Sequence, residues 1–270
     1  MVNEKYAKVI AFANQKGGVS KTTSCQMLAC GLAENGKKVL TIDADAQRNL
    51  TSALARNLIH DAKYQEKTVY EVMEKKCTVE ECLVSVNENL DILPGSEIMA
   101  AADMKFTGPG REYHLSEALK SIKNCYDYIL IDTPPQLGIT SLNAMVCATG
   151  IIVPMWATKF SIQGFQLLMD TISTVRNYYN PALRIEGVLI TQYSNRGEMQ
   201  SLIKEHLGDL LGSRGIYLFQ SSIRTGNAIQ RAQNEGVNPF TEKDRKYSQS
   251  GAIKDYKAFV AEYLERESKS

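Results

Sequence analysis

The stretch KVIAFANQKGGVSKTT, residues 8–23, decides the fold. Its first part, from Val9, is a short apolar run that is typical of a buried parallel strand. A glycine loop follows, and an apolar pattern with a period near 3.6 predicts a helix from Thr22 to Glu34. In a strand, glycine loop and helix of this kind, backbone N–H groups point at a bound phosphate. The stretch therefore predicts a nucleotide phosphate site at the end of the first strand.

Each residue of this loop has an expected role. Gly17 and Gly18 let the backbone approach a phosphate without a Cβ in the way. Lys21 is expected to neutralise the β- and γ-phosphates, and the Thr22 hydroxyl to ligate Mg²⁺. The general pattern GxxxxGK[ST] is matched poorly, because Gln15 and Ser20 occupy its two glycine positions. The predicted phosphate-binding residues are Gly17, Gly18, Val19, Ser20, Lys21, Thr22 and Thr23.

Three acidic residues at predicted strand ends complete the candidate site. Asp43 and Asp45 lie in LTIDADAQ, and residues i and i+2 of an extended segment point the same way. Both are thus expected to face the phosphate end of the sheet, where open α/β folds bind their ligands. Asp132 ends the apolar run YILID and is expected to hold Mg²⁺ through water. The combination predicts a nucleotide phosphate site with Mg²⁺.

Apolar, β-rich runs alternate with helical patterns along the chain, which predicts an α/β fold. We expect a doubly wound, mostly parallel sheet with helices on both faces, as in P-loop NTPases. No linker or repeat divides the sequence, so residues 1–270 are predicted to form one domain, without a helix-turn-helix domain before the first strand. The predicted strands begin at Val9, Val39, Leu90, Tyr128, Ile151, Glu186 and Ile216. The predicted helices are Thr22–Glu34, Tyr113–Lys123, Ile162–Tyr178, Met199–Leu211 and Ala252–Glu267, the last after a polar surface loop from Asn234 to Ser250.

Composition excludes several classes of protein. Hydrophobic and charged contents of 44% and 23% are typical of a globular protein, and a net charge of +1 excludes a uniformly basic, histone-like protein. The six cysteines show no CxxC pair, which predicts reduced, buried thiols in a cytosol. Neither a signal peptide nor an apolar run of about 18 residues is present, so a cytoplasmic location is expected.

The loop resembles the deviant Walker A box, KGGxxK[ST], shared by ParA, MinD and the nitrogenase iron protein. The extra lysine of that box is Lys16 here. The likeness to ParA and its chromosomal relative Soj covers nearly the whole chain. It includes Val153-Pro154 with Gly164, the strand Gly187–Thr191, Ile223-Arg224 and Tyr256. Thr158 and Ser194 depart from residues frequent in that family, as does Ser20 in the loop.

The resemblance implies an ATP-switched homodimer. In that family the extra lysine reaches across the dimer to the partner's ATP, and the second Asp of DxDxQ orients the attacking water. Lys16, Lys21 and Asp45 are accordingly the implied catalytic residues, and Gly138, after DTPP, is a candidate hinge of switch II. The resemblance further implies slow ATP hydrolysis, sequence-independent DNA binding in the nucleoid, and a ParB-like or other DNA-bound adaptor. The cargo, a plasmid, chromosome or mobile element, stays open.

DNA binding by a nearly neutral chain requires a local basic surface. From Arg214 onward there are ten Lys or Arg against seven Asp or Glu, and dimerisation doubles any such patch. Arg224 leads the candidates because its segment resembles the family's IPR. The full candidate set is Arg196, Arg224, Arg231, Lys243, Arg245, Lys246, Lys254 and Lys257.

Three alternatives of other kinds stay open. A MinD-like membrane positioner needs a basic amphipathic helix at the C-terminal end, whereas this tail reads AFVAEYLERESKS, with at least as many acids as bases. A redox carrier like the nitrogenase iron protein needs cluster-binding cysteines, which Cys125 and Cys147 do not match in context. A bacterial tyrosine kinase needs a tyrosine-rich tail. The partition ATPase is the reading that we favour, and no membrane partner is expected.

Overall fold

The computed structural model describes residues 6–56, 66–194, 198–235, 237–240, 247 and 249–269. Eight strands in these ranges form one sheet in the order β3-β4-β2-β5-β1-β6-β7-β8. Only β3 runs antiparallel to its neighbour, so the expected mostly parallel sheet is confirmed. The strands are β1 Lys8–Phe12, β2 Val39–Asp43, β3 Val84–Asn87, β4 Leu90–Leu93, β5 Tyr128–Asp132, β6 Gly150–Trp156, β7 Arg184–Tyr193 and β8 Leu218–Arg224.

Helices cover both faces of this sheet. They are α1 Lys21–Glu34, α2 Asn49–Leu54, α3 Val69–Met73, α4 Val79–Cys82, α5 Ala102–Lys105, α6 His114–Ala118, α7 Ile139–Cys147, α8 Lys159–Tyr178, α9 Glu198–Gly212, α10 Ala228–Glu235 and α11 Gly251–Lys269. Successive residues of β1 point to opposite faces: Val9 and Ala11 lie in the core under α7 and α8, while Ile10 and Phe12 lie in the core under α1 and α11. The predicted doubly wound architecture is therefore correct.

The strand order places the candidate site at one edge of the sheet. Strand β5 lies between β1 and β2, so that Asp132 is in register with Phe12 on one side and with Asp43 on the other. The glycine loop after β1 and the acids that end β2 and β5 thus meet at the carboxyl ends of three adjacent strands. This is where parallel α/β sheets bind ligands.

The last helix closes the core on the α1 side. Its apolar face is buried, and the Tyr256 hydroxyl lies 2.9 Å from the Ser24 hydroxyl of α1. Gly31 of α1 leaves room for Val260, whose methyl carbon lies 2.6 Å from where a Cβ would stand. In the described part of the chain, no helix has the length and apolar character needed to cross a membrane.

Two local predictions are wrong. The predicted helix Tyr113–Lys123 is a 3₁₀ turn, a five-residue α-helix and another 3₁₀ turn, and the side chain of Asn143 accepts the Leu115 N–H in the first turn of that α-helix at 3.0 Å. The antiparallel edge strand β3 was not predicted, since it is four residues long and contains a register shift after Ser85. Neither difference moves the candidate site.

Candidate nucleotide-binding site

The loop between β1 and α1 has an unusual backbone. Gly18 and Ser20 both adopt left-handed conformations, with φ of 73° and 65°. Left-handed geometry suits glycine, whereas Ser20 carries the cost of a Cβ there. Ser20 precedes α1 as its N-cap, yet its side chain makes no capping hydrogen bond. The serine at a glycine position therefore adds strain rather than only bulk.

Two residues near the end of strand β7 hold this loop in its shape. The buried Thr191 hydroxyl donates to the Val19 carbonyl at 3.0 Å, and the Gln192 side chain donates to the Gly18 carbonyl. A Cβ built on Gly17 or Gly18 would have no heavy atom within 4 Å, so open space lies next to both glycines. The loop is therefore a cradle that is open on the side of Gly17 and Gly18 and is held on its other side by hydrogen bonds from β7. Such an arrangement suits the binding of a phosphate.

A cleft of about 550 Å³ opens above the cradle. Its walls include the loop and α1 residues Gly17, Gly18, Ser20, Lys21, Thr22 and Thr23, together with Asp45, Gln47, Asn49, Ser52, Ala53, Arg56, Pro135, Gln192, Gln230, Gln233 and Asn234. Most of the predicted phosphate-binding residues are thus gathered in one cavity. Val19 is not among them, because its side chain is buried in the core and its contribution is confined to the backbone.

Lys21 reaches the floor of this cleft. Its side chain is buried, and its Nζ donates to the Lys16 carbonyl at 3.4 Å. Burial lowers the pKa of this ammonium, while the negative charges of Asp132 and Asp45 act in the opposite direction. A buried cation with one long hydrogen bond is well suited to an anionic ligand.

Asp132 is the acidic residue of the site with the environment best suited to a bound cation. The residue is fully buried, and no hydrogen bond of normal geometry reaches either of its carboxylate oxygens within the described residues, although the Thr22 side chain is close enough to lower its pKa. Burial raises the pKa of this carboxyl well above its usual range, and the nearby charge of Asp43 raises it further. Buried acids are normally paired or bound to a metal. The residues present therefore fit Mg²⁺ with a nucleotide, with Thr22 and Asp132 as the residues that would hold the ion.

Asp43 and Asp45 do not share one direction, contrary to the prediction. Asp45 lines the cleft, and its Oδ1 accepts the Gln47 N–H at 3.0 Å. Asp43 is fully buried below the cleft, where its Oδ2 accepts from the backbone and the hydroxyl of Thr51 at 2.7 and 2.6 Å. The i, i+2 rule fails because β2 ends at Asp43 and the chain turns immediately afterwards. Asp43 therefore anchors α2 from below and is not among the described residues that line the cleft.

Gly138, the candidate hinge, lies where a larger side chain would meet a neighbouring carboxylate. Its backbone lies outside the left-handed region, with φ of −85°. The Asp103 carboxylate occupies the space of a Cβ, and its Oδ1 accepts the Ile139 N–H at the start of α7 at 2.8 Å. The start of α7 is therefore joined to α5 through the Asp103 carboxylate, which a Cβ at position 138 would displace.

Lys16 lies apart from the cleft of its own protomer. The residues that line the cleft within the described chain begin at Gly17, and the Lys16 ammonium sits over the Trp156 ring, 5.0 Å from its centroid. This position is compatible with a role outside the site of its own chain.

The basic candidates fall into three groups. Arg196, Lys243, Arg245 and Lys246 lie outside the described residues. Arg224, the leading candidate, is already paired: its Nε and Nη2 donate to the two Asp255 oxygens, each at 2.8 Å. Arg231 and Lys254 are exposed on α10 and α11, and Lys257 lies 5.9 Å from the Phe240 ring centroid. The prediction that Arg224 leads is therefore weakened by its carboxylate partner.

Sequence reasoning missed the opposite wall of the cleft. Gln192 at the end of β7, Arg56 after α2 and the polar residues of α10 belong to no motif, and Gln192 has a positive φ of 53°. Their only signal is polarity beside predicted elements. The fold brings them to the loop from far along the chain.

The fold and the site define a class, the P-loop nucleotide-binding α/β proteins. A family model described as an AAA domain matches residues 7–185. The chromosome-partitioning ATPase Soj of Treponema pallidum is 31% identical over 264 residues, which are 96% of this chain and 98% of that protein. An uncharacterized protein of Mycobacterium tuberculosis is 39% identical over 213 residues, 76% of this chain, and the chain spans 65% of its length. The chain belongs to the ParA/Soj-type family of partition ATPases.

Solved structures agree with this assignment. A cobyrinic acid a,c-diamide synthase from Mycobacterium smegmatis, with bound ADP and magnesium, has a TM-score of 0.79 at 29% identity, covering 98% of this chain and 96% of that one. A putative plasmid partition protein from Borrelia burgdorferi, bound to AMPPNP, has a TM-score of 0.79 at 26% identity, covering 96% and 99%. Nucleotide binding on this fold is thus seen in proteins similar to this chain.

Proposed function

We propose that this protein binds Mg-ATP, dimerises on it, hydrolyses it slowly and uses the cycle to partition DNA with a DNA-bound partner protein. The observation that carries the proposal is the open cradle of Gly17 and Gly18 beside an unpartnered, buried Asp132. An anion suits the open loop and a divalent cation suits the buried carboxylate, and Mg-nucleotide supplies both. The partition role is supported by the family to which the chain belongs.

The residues of the chain have separate jobs in this chemistry. Bound Mg-ATP supplies the phosphoanhydride to be cleaved and a divalent cation. Lys21 places a buried positive charge at the floor of the cleft, where it stabilises charge that develops on phosphate oxygens. Asp45 has a carboxylate that lines the cleft and is assigned to orient the attacking water. The Gln47 N–H donates to its Oδ1 and so holds the carboxylate in place. Lys16 is assigned to the partner's nucleotide.

Helix α10 connects the nucleotide cleft to exposed basic residues. One side of α10 contributes Gln230, Gln233 and Asn234 to the cleft wall, while Arg231 of the same helix is exposed. Helix α10 also packs against α11, which carries the exposed Lys254. A change at the nucleotide therefore reaches these cations through one short helix. This arrangement supports ATP-dependent binding of the protein to the phosphates of DNA. Binding of that kind does not depend on the base sequence.

DNA retention with ATP, ADP and no nucleotide, across a salt series, tests the proposal. Wild-type protein should retain random-sequence DNA only with ATP, and affinity should fall steeply with salt, because phosphate contacts release counterions. Arg231→Glu combined with Lys254→Glu should weaken retention of every sequence alike, about tenfold or more at moderate salt. Lys120→Glu is the matched control, since this exposed lysine is paired with Glu117 on the other face of the sheet.

Anionic liposomes in parallel test the MinD-like alternative. Sedimentation with liposomes but not DNA would replace the partition role with membrane positioning. The structure gives a reason to expect no such binding through α11, because its apolar residues Phe259, Val260 and Tyr263 are buried in the core. Equal DNA retention by wild type and the Arg231/Lys254 variant would remove these residues from the binding surface.

A further inference from the structure

The side chain of Lys16 packs over an aromatic ring of its own protomer. Its ammonium lies 5.0 Å from the Trp156 ring centroid and forms no ion pair within the described residues. A lysine ammonium over an indole face at this distance is held by attraction to the electron-rich ring, worth about 0.5–1 kcal/mol at an exposed site. The contact is not one of sequence neighbours, since Lys16 and Trp156 come from different strand ends.

The side chain of Asn14 holds the backbone on which Lys16 and Trp156 lie. Its side chain is buried, donates to the Pro154 carbonyl at 2.7 Å and accepts the Lys16 N–H at 3.0 Å. One amide thus ties the start of the loop to β6, two residues before Trp156. The main chain at Lys16 is therefore linked to β6 through the two hydrogen bonds of the Asn14 side chain.

We propose that Trp156 is a positioning residue that holds Lys16 over its ring in the lone protomer and releases it when ATP brings two protomers together. The inference rests on the proposed function, in which Lys16 contacts the partner's nucleotide. Neither Lys16 nor Trp156 is among the described residues that line the cleft. The contact with the ring therefore competes with any movement of the Lys16 ammonium toward a phosphate, and its release is a cost that opposes dimerisation.

The size of this cost sets a measurable effect. Two contacts are lost in each dimer, and two contributions of about 0.5–1 kcal/mol correspond to about 5- to 30-fold in the dimer dissociation constant. Trp156→Leu should therefore tighten the dimer formed with a non-hydrolysable ATP analogue by that factor. Trp156→Phe keeps an aromatic face and should stay within about threefold of wild type. The ATP affinity of the protomer should be unchanged in both, because Trp156 does not line the cleft.

Fluorescence tests the contact itself. Trp156 is the one tryptophan of the sequence, so its emission is free of other tryptophans. In nucleotide-free protein, Lys16→Met should change the intensity or position of this emission, whereas Lys38→Met, at an exposed lysine elsewhere, should not. Adding the ATP analogue to wild type should produce a change in the same direction as Lys16→Met, because the ammonium leaves the ring.

The outcomes separate the two levels of the proposal. Wild type that binds the analogue but stays monomeric by sedimentation removes the proposed function and this inference with it. Wild type that dimerises while Trp156→Leu dimerises equally or more weakly overturns only the inference. Identical emission in wild type and Lys16→Met also overturns it, and this arm needs no Trp156 variant to fold.

Discussion

Replacing Ser20 by glycine should stabilise the nucleotide-free protein. Ser20 is held at φ 65°, where its Cβ is crowded by the following carbonyl oxygen. The serine hydroxyl offers no compensation, because it makes no capping hydrogen bond to α1. Glycine adopts the same backbone without that cost.

The magnitude follows from two opposing terms. Left-handed backbone costs an L-residue about 1–2 kcal/mol, and Ser20→Gly removes this cost from the folded state. The greater chain entropy of glycine in the unfolded state lowers the free energy of unfolding by about 0.5–1 kcal/mol. The net expectation is a gain of about 0.5–1 kcal/mol in the free energy of unfolding, or roughly 1–3 °C in Tm for a domain of this size.

Urea denaturation of nucleotide-free protein is the assay, with two controls. Ser20→Ala keeps the Cβ and removes only the hydroxyl, so its stability should stay within about 0.5 kcal/mol of wild type. Gly18→Ala introduces the same strain at φ 73° and, after the same unfolded-state entropy is subtracted, should lose stability by about 0.5–1 kcal/mol. A destabilised Ser20→Gly, or a Ser20→Ala variant as stable as Ser20→Gly, would refute the reasoning from backbone strain.

Two further predictions concern the neighbours of the site. Burial raises the pKa of Asp43 from 3.8 to about 6, so the fold favours its protonated form. The contribution of Asp43 to the free energy of unfolding should therefore fall as pH rises from about 4 to about 6, by up to about 3 kcal/mol at 1.36 kcal/mol per pKa unit. Asp43→Asn should accordingly show a shallower slope than wild type in denaturation across that pH range, while the buried Asp132 still contributes in the same direction. Gly138→Ala should cost about 1–3 kcal/mol in the same assay, because its methyl would displace the Asp103 carboxylate from the N-terminus of α7; Gly17→Ala, whose methyl would meet nothing within 4 Å, is the control, and equal losses in both would contradict the steric argument.

The parallel sheet and the phosphate loop could be predicted from local sequence. Buried parallel strands are continuous apolar runs, and the glycine loop with Lys21 and Thr22 lies entirely within one βα unit. The positions of Lys21 and Asp132 at one sheet edge then follow from topology alone. These features need no information about distant packing.

What could not be predicted depends on contacts between distant segments. The burial of Asp43 depends on Thr51 of α2, and the opposite wall of the cleft depends on α10 and on Gln192 at the end of β7. The pairing of Arg224 with Asp255 joins β8 to α11 and gives no periodic signal in the sequence. The contact between the Lys16 ammonium and the Trp156 ring likewise gives no signal in the sequence. Side-chain partners of this kind emerge only from tertiary structure.

The molar mass in solution with Mg-ATP tests the central claim most directly. The chain has a mass of 30.0 kDa, so light scattering should give about 60 kDa with Mg-ATP and about 30 kDa with ADP or no nucleotide. Lys16→Ala should still bind ATP and remain near 30 kDa, because it retains Lys21 and Asp132 but lacks the cation assigned to the partner's nucleotide. A wild-type protein that binds Mg-ATP and stays at 30 kDa, or a Lys16→Ala variant that doubles its mass like wild type, would contradict the account of an ATP-switched dimer.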